Sequence, residues 1–357
     1  MDSRPPAPAG DAGLTIVTPG LDRGELMIEA GGLRKTYRGS RGRKGAAVEA
    51  VRGVDFAVRT GEIFGFLGPN GAGKTTTLRM LATLVRPDGG HATIAGTDLL
   101  RASAQVRRHI GFVAQTSGTY AEATGRRELV LQARLHGSAK SDAQRLADQV
   151  IETFDLAEFV DRRIQTYSGG QRRRLDVALG VIHGPTVMFL DEPTAGLDPP
   201  SRTRMWQEVR RLRDRGMTIF LTTHYLDEAD ALCDRISIID RGLIVAEGTP
   251  ADLKREISGD VVIVDMTAPG TAGVPDEAVL GDAAQLLAGQ PYVQGVEPVG
   301  TTLRLYVDGA ATAIPLVMRA LIGAAIEPSA IETRRPSLDD VFLAKTGRAL
   351  HDSPDLG

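Results

Sequence analysis

Short apolar runs recur along the first part of the chain, at residues 63–67, 187–190, 218–221 and 236–239. Each is bounded by loop-type residues, and helix-like stretches lie between them. That pattern predicts buried strands of a largely parallel sheet with helices on its faces. Residues 76–81 and 172–179 have helical character, and residues 126–160 are predicted to be mostly helical. Within the latter, Leu146, Val150, Ile151 and Phe154 recur at helix spacing, which marks a packing stripe. Beyond residue 258 the character changes. Residues 261–264 and 303–307 read as strands and 312–325 as a helix, with a Gly-, Ala- and Pro-rich stretch at 268–291 separating the first strand from the rest. The expected organisation is a mobile tail over residues 1–24, a main domain over 25–257, a small α+β domain over 258–347 and a tail over 348–357. Residues 39–46, glycine-rich and basic, are read as a solvated hairpin loop.

Composition narrows the function classes. With 357 residues, 42% hydrophobic and 24% charged, the chain can build two ordinary globular cores. A net charge of −3 demands no nucleic acid partner. The single Cys233 and the absence of a signal-like N-terminus suggest a reducing cytoplasm. No apolar run approaches the ~20 residues needed to cross a bilayer. Any transport role would therefore need a path built by another protein.

Three motifs carry chemistry. The segment Gly68-Pro69-Asn70-Gly71-Ala72-Gly73-Lys74-Thr75 fits G-x-x-x-x-G-K-[ST] between a strand and a helix. Glycines let backbone N–H groups turn inward around a phosphate, and the helix N-terminus adds partial positive charge. Lys74 would reach the terminal phosphates, and the Thr75 hydroxyl suits Mg²⁺. The strand at 187–190 ends in Asp191 and Glu192. Successive strand residues face opposite ways, so the two carboxylates serve different roles. Asp191 suits the Mg²⁺ side, and Glu192 suits polarising an attacking water. Finally, Ser168-Gly169-Gly170-Gln171 fits a capping box at a helix start, which is also an anion seat. Either both seats serve one nucleotide within the chain, or each completes a site on another copy.

These motifs, followed by Pro193-Thr194-Ala195-Gly196-Leu197-Asp198 and His224, resemble the ATP-binding cassette ATPases in order and spacing over roughly residues 26–250. The resemblance implies a P-loop NTPase fold: a mostly parallel sheet, an antiparallel β part and a helical subdomain at about 116–170. It implies ATP and Mg²⁺ as ligands, and two cassettes meeting head to tail with ATP between one phosphate loop and the other's Ser168–Gln171 segment. By the same resemblance Tyr37 stacks on adenine, Thr76 joins the phosphate loop, Gln115 contacts Mg²⁺ and the attacking water, His224 contacts the γ-phosphate, and Asp198 acts across the dimer. Tyr167, the run Arg172-Arg173-Arg174-Leu175-Asp176 and the segment Pro336-Ser337-Leu338-Asp339-Asp340-Val341-Phe342-Leu343-Ala344-Lys345-Thr346-Gly347 resemble the daunorubicin-resistance type of exporter ATPase. That implies a peripheral subunit at the cytoplasmic membrane face, paired with a separate polytopic permease and moving drug-like or lipid-like cargo.

Departures from the family pattern fall in residues 121–129, where Arg127 stands in place of Glu and Glu128 in place of Asn, and at Ala114, where Pro is common. These touch the expected permease contact and not the motor chemistry. The rival expectation is a non-transport cassette acting on nucleic acid or ribosomes, but such chains usually carry two cassettes or a long coiled coil, and this one has a single phosphate loop and no long heptad run.

Overall fold

The computed structural model describes residues 25–38, 47–256, 260–266, 277–307, 309–334 and 336–347. The expected tails at 1–24 and 348–357 and the basic loop at 39–46 lie outside them. The chain divides into two compact units, whose described parts are residues 25–250 and 251–347.

The first unit opens with β1 (Leu26–Tyr37), β2 (Val48–Arg59) and β3 (Ile63–Leu67). Helix α1 (Lys74–Leu81) follows, then β4 (Gly89–Ile94), β5 (Thr97–Asp98), α2 (Ser103–His109) and β6 (Ile110–Val113). Helices α3 (Gly125–Leu135), α4 (Lys140–Thr153) and α5 (Gly169–Val181) come next. Then β7 (Val187–Asp191), α6 (Pro199–Asp214), β8 (Thr218–Thr223), α7 (Leu226–Leu232), β9 (Arg235–Asp240) and β10 (Leu243–Gly248) complete the unit.

Two sheets result. One is four-stranded and antiparallel, in the order β2-β1-β4-β5. The other has the order β10-β9-β3-β8-β7-β6, parallel except for β10. Strands β3, β7 and β8 are buried along their whole length, which is why they read as unbroken apolar runs. Five of the nine phenylalanines gather here. Phe56 of β2 packs against Phe64, Phe66 and Phe220 with ring centroids 5.0 to 6.0 Å apart, and Phe189 joins through Phe220. Offset and edge-on aromatic contacts of this kind lock the two sheets together. Gly65 is required by packing: a Cβ there would stand 2.5 Å from the sulfur of buried Cys233. Burial pushes that thiol well above its ordinary pKa, so it is an inert packing group. The stripe expected on α4 is present, with Val150, Ile151 and Phe154 buried, though Leu146 is only half-buried and Ala147 lies deeper.

The second unit holds α8 (Pro250–Glu256, less its first residue), β11 (Asp260–Asp265), α9 (Glu277–Ala288), β12 (Val293–Val299), β13 (Thr302–Val307), α10 (Ala310–Gly323), β14 (Ala330–Arg334) and α11 (Leu338–Thr346). Its antiparallel sheet runs β12-β13-β11-β14. The stretch at 268–291 is not a plain separator. It contains α9, whose Ala283 and Leu287 are fully buried against Leu303, Leu305 and Val317. The first strand of this unit, β11, pairs with both β13 and β14.

Candidate functional site

Parallel pairing decides where the chemistry lies. In the β3-β8-β7-β6 run, Leu67 pairs with Thr223, Asp191 with Thr222, and Val113 with Leu190. All four strands therefore end at one edge, and the loops leaving them converge, as ligand-binding loops do at the carboxyl edge of parallel sheets. Those loops carry the Gly68–Thr75 segment, Gln115, Asp191 with Glu192, and His224.

The glycines of the first loop have separate reasons. A Cβ on Gly68 would lie 2.2 Å from the Ile239 carbonyl oxygen, and one on Gly73 would lie 2.4 Å from that of Ala50. Gly73, which caps α1, also has φ 105°, and Gly71 has φ 77°. Lys74 is only 4% exposed, and its Nζ donates to the carbonyls of Gly68 (2.7 Å) and Pro69 (3.0 Å). It also lies 3.5 Å from Glu192 Oε1. Burial lowers its pKa, against the opposing pull of Glu192 and Asp191.

Asp191 and Glu192 diverge as strand geometry requires. Asp191 Oδ1 accepts from the hydroxyls of Thr75 (2.9 Å) and Thr222 (2.7 Å). Glu192 adopts φ 45°, a conformation uncommon outside glycine, and its N–H donates to Thr222. That turn brings the carboxylate back to Gln115, whose Nε2 donates to Oε2 at 3.0 Å. His224 Nδ1 stands 3.2 Å from the same oxygen but is not aligned for a hydrogen bond. Burial would raise the Glu192 pKa, but His224 and Lys74 more than offset it, and the carboxyl sits below its ordinary value. The hydroxyl–carboxylate pair of Thr75 and Asp191 is an all-oxygen donor set of the type Mg²⁺ takes.

The second seat is built as its residues dictate. Ser168 Oγ accepts from the Gln171 N–H at 3.2 Å, and Gln171 Oε1 accepts from the Ser168 N–H at 3.1 Å, so the capping box is complete. A Cβ on Gly170 would come within 2.7 Å of Ser201 Oγ, whereas one on Gly169 would meet only Leu197 at 3.6 Å. Tyr167 anchors this turn: its hydroxyl accepts from the Gly125 N–H at 3.3 Å and lies 3.4 Å from the Arg162 carbonyl. Asp198 caps α6 through the Ser201 N–H. Tyr37 ends β1, paired with Val48 and 41% exposed. Thr76 lies in the first turn of α1. Ser168–Gln171 opens α5, and that helix joins the second seat to the loops through Arg173.

Three further residues, none of them expected in the site, support it or its surroundings. Thr222 holds Asp191 and the Glu192 N–H. Arg173, buried in α5, donates to backbone carbonyls beside Gln115 and Glu192. It is buried with Val177, Gly180 and Val181, whereas Arg172 and Arg174 are half-buried; helical spacing alone does not single it out, because Arg174 also falls at i, i+3 and i+7 to Val177 and Val181. Glu228 of α7 accepts from Thr194 (2.7 Å) and Trp206 (3.2 Å) through Oε1 alone. Its Oε2 is buried without a partner.

Burial raises the Glu228 pKa, against the donors that lower it. The folded chain therefore holds that proton more tightly than the unfolded chain does. Stability falls as pH rises from the ordinary carboxylate range through the raised folded value. Glu228→Gln should remove this dependence. In calorimetry its melting temperature should exceed the parent's at pH 8 by about 2–4 °C, the shift ~1 kcal/mol gives in a domain of this size. The gap should close toward pH 4; a gap that does not change with pH would contradict the assignment.

Among the described residues no helix is long and apolar enough to cross a membrane. Residues 51–195 match the family described as ABC transporter, and residues 248–346 match the C-terminal domain of ATP-binding proteins of the DrrA1-3-like type. The daunorubicin resistance ATP-binding protein DrrA3 of Streptomyces coeruleorubidus is 42% identical over 84% of this chain and 92% of its own length. The daunorubicin/doxorubicin resistance ATP-binding protein DrrA of Streptomyces peucetius is 41% identical over 91% and 94%. Among solved structures, an ATP-binding subunit of an ABC transporter matches with TM-score 0.55 and 26% identity, covering 64% of this chain and 92% of that one.

Proposed function

The chain belongs to the ABC transporter ATP-binding proteins, and on that premise we propose that it is the ATP-hydrolysing motor of an exporter for drug-like or lipid-like cargo. A separate polytopic permease supplies the path, and the motor works at the cytoplasmic face of the membrane. The relatives do not favour the alternative of action on nucleic acid or ribosomes.

The observation that carries the reading is the convergence of four loops on one sheet edge around Lys74, Asp191 and Glu192. In the proposed mechanism the amides of Asn70, Gly71, Ala72 and Gly73 and the Lys74 ammonium hold the terminal phosphates, with Thr76 beside them. Thr75 and Asp191 would hold Mg²⁺, which would supply neutralisation of the phosphate charge. Glu192, ionised and turned back by its left-handed backbone, accepts a proton from the attacking water. Gln115 and His224 aim that carboxylate and the terminal phosphate at each other. Tyr37 offers its exposed ring to adenine.

Gly169 supports a pocket shared with a second copy. Its backbone is not left-handed, and a side chain there would meet no crowding within the chain. A glycine at that place keeps the capped turn open to a phosphate arriving from the other cassette, with Asp198 facing the same neighbour. Gly169→Val should therefore fold normally by calorimetry yet lose ~10²-fold in hydrolysis, the scale of one lost transition-state contact. Full activity in that variant would exclude the shared pocket.

A groove of about 430 Å³ lined in part by Leu84, Phe112, Ser117, Glu128, Gln132 and His136 is the proposed seat of a permease helix. The direct test of the whole reading is co-expression with the candidate permease. The chain should sediment with membranes, and inside-out vesicles should take up an anthracycline only with ATP and both proteins present. A chain that hydrolyses ATP but never binds membranes beside any such permease would overturn it.

A further inference from the structure

Arg173 is a buried cation that the proposed chemistry leaves unused. It is 6% exposed, and among the described residues no carboxylate lies within ion-pair distance of its guanidinium. Its partners are all backbone carbonyls. Nε donates to Pro193 at 2.8 Å and Nη1 to Ala114 at 2.6 Å. Nη2 donates to Asp191 at 2.9 Å and Glu192 at 3.3 Å.

These carbonyls belong to two separate loops. Ala114 immediately precedes Gln115, and Asp191 to Pro193 bracket the Glu192 turn. Gln115 and Glu192 then meet each other at 3.0 Å. One planar fork thus fixes both loops to α5 and sets the pair between them. Burying a guanidinium is costly, and burial lowers its pKa here. An apolar side chain there would avoid that cost but would leave those carbonyls without their donor. A lysine could not replace the fork, since it carries a single point charge.

The same helix begins with the seat at Ser168, Gly169 and Gly170, little more than one turn before Arg173. We propose that Arg173 is a positioning residue that conveys occupancy of this seat, through the placement of α5, to Gln115 and Glu192 of its own chain. The proposal rests on the reading that the seat receives ATP held by a second copy. ATP on the neighbour's loop then sets the geometry of this chain's own carboxylate, and the two sites of a dimer fire in concert.

The test compares the full chain with Arg173→Met and Arg173→Lys. Hydrolysis is followed against ATP concentration, with binding of a fluorescent ATP analogue and melting temperature measured alongside. The parent should show a sigmoidal dependence on ATP. Arg173→Met should lower kcat by about 10²-fold, the effect of a reacting group misplaced by an ångström. Its Hill coefficient should fall toward one while analogue affinity changes less than about threefold. Arg173→Lys should fall between the two. Cooperative hydrolysis at the parental rate in Arg173→Met would overturn the proposal alone. So would a loss of kcat matched by equal losses of analogue binding and melting temperature in both variants, which marks a merely structural strut. If Arg173→Met does not fold, Arg173→Lys carries the same comparison. A parent that does not hydrolyse ATP overturns the motor reading, and the proposal with it.

Discussion

Glu192→Gln is expected to hydrolyse ATP ~10²–10⁴-fold more slowly than the parent while still binding it. The side chain is 7% exposed and meets Gln115 at 3.0 Å and Lys74 at 3.5 Å. Its pKa balance leaves it ionised at neutral pH and therefore able to take a proton. Glutamine keeps the shape and can still accept from the Gln115 amide. It removes the charge and the basicity, and so removes the proton acceptor and little else. Binding groups on the loop are untouched, so ATP should be retained and a closed dimer should accumulate. Phosphate release and sedimentation with ATP measure the two halves of this expectation. Hydrolysis within a few-fold of the parent would mean that the carboxylate is not the base.

Lys74→Ala should fail at the earlier step, with nucleotide affinity reduced by ~10²-fold. That factor corresponds to the ~3 kcal/mol of a charge-assisted hydrogen bond. Lys74 lies 3.5 Å from the Glu192 carboxylate, and it also satisfies two carbonyl oxygens of its own loop. Alanine leaves Gly68 and Pro69 without that donor and leaves Glu192 facing incoming phosphates uncompensated. Both effects weaken binding of a polyanion. Equilibrium binding of a fluorescent ATP analogue reads the change, and calorimetry separates it from unfolding. Parental affinity in this variant would remove the phosphate-loop assignment.

Much of this was legible from local rules. The strands β3, β7 and β8 announce themselves as apolar runs because both faces are covered. The capping box at Ser168 and Gln171 needs only a three-residue spacing, and the structure forms it as written. What local rules hide is phase and long-range pairing. Helix α9 is obscured by Gly281 and by its alanines, although Leu280, Ala283, Ala284 and Leu287 share a helical face and pack on the second core. The position of β11 between β13 and β14 depends on pairing partners tens of residues away, which no local pattern encodes. Arg173 hides in a run of three arginines, and its burial depends on carbonyls of distant loops that no local spacing encodes. The divergence of Asp191 and Glu192 follows from strand alternation, but the positive φ that folds Glu192 back is a tertiary outcome.

The phenylalanine hub has a consequence for what the site can measure. Tyr37 lies on a sheet whose β2 strand is wedged by Phe56 into the same aromatic cluster that carries β3 and the root of the phosphate loop. The proposed resting place for a purine and the proposed cradle for its phosphates are thereby pegged to one block of packed rings. The span between them works as a fixed gauge, set by ring packing in the interior and not by loops that could stretch to fit a longer or shorter guest.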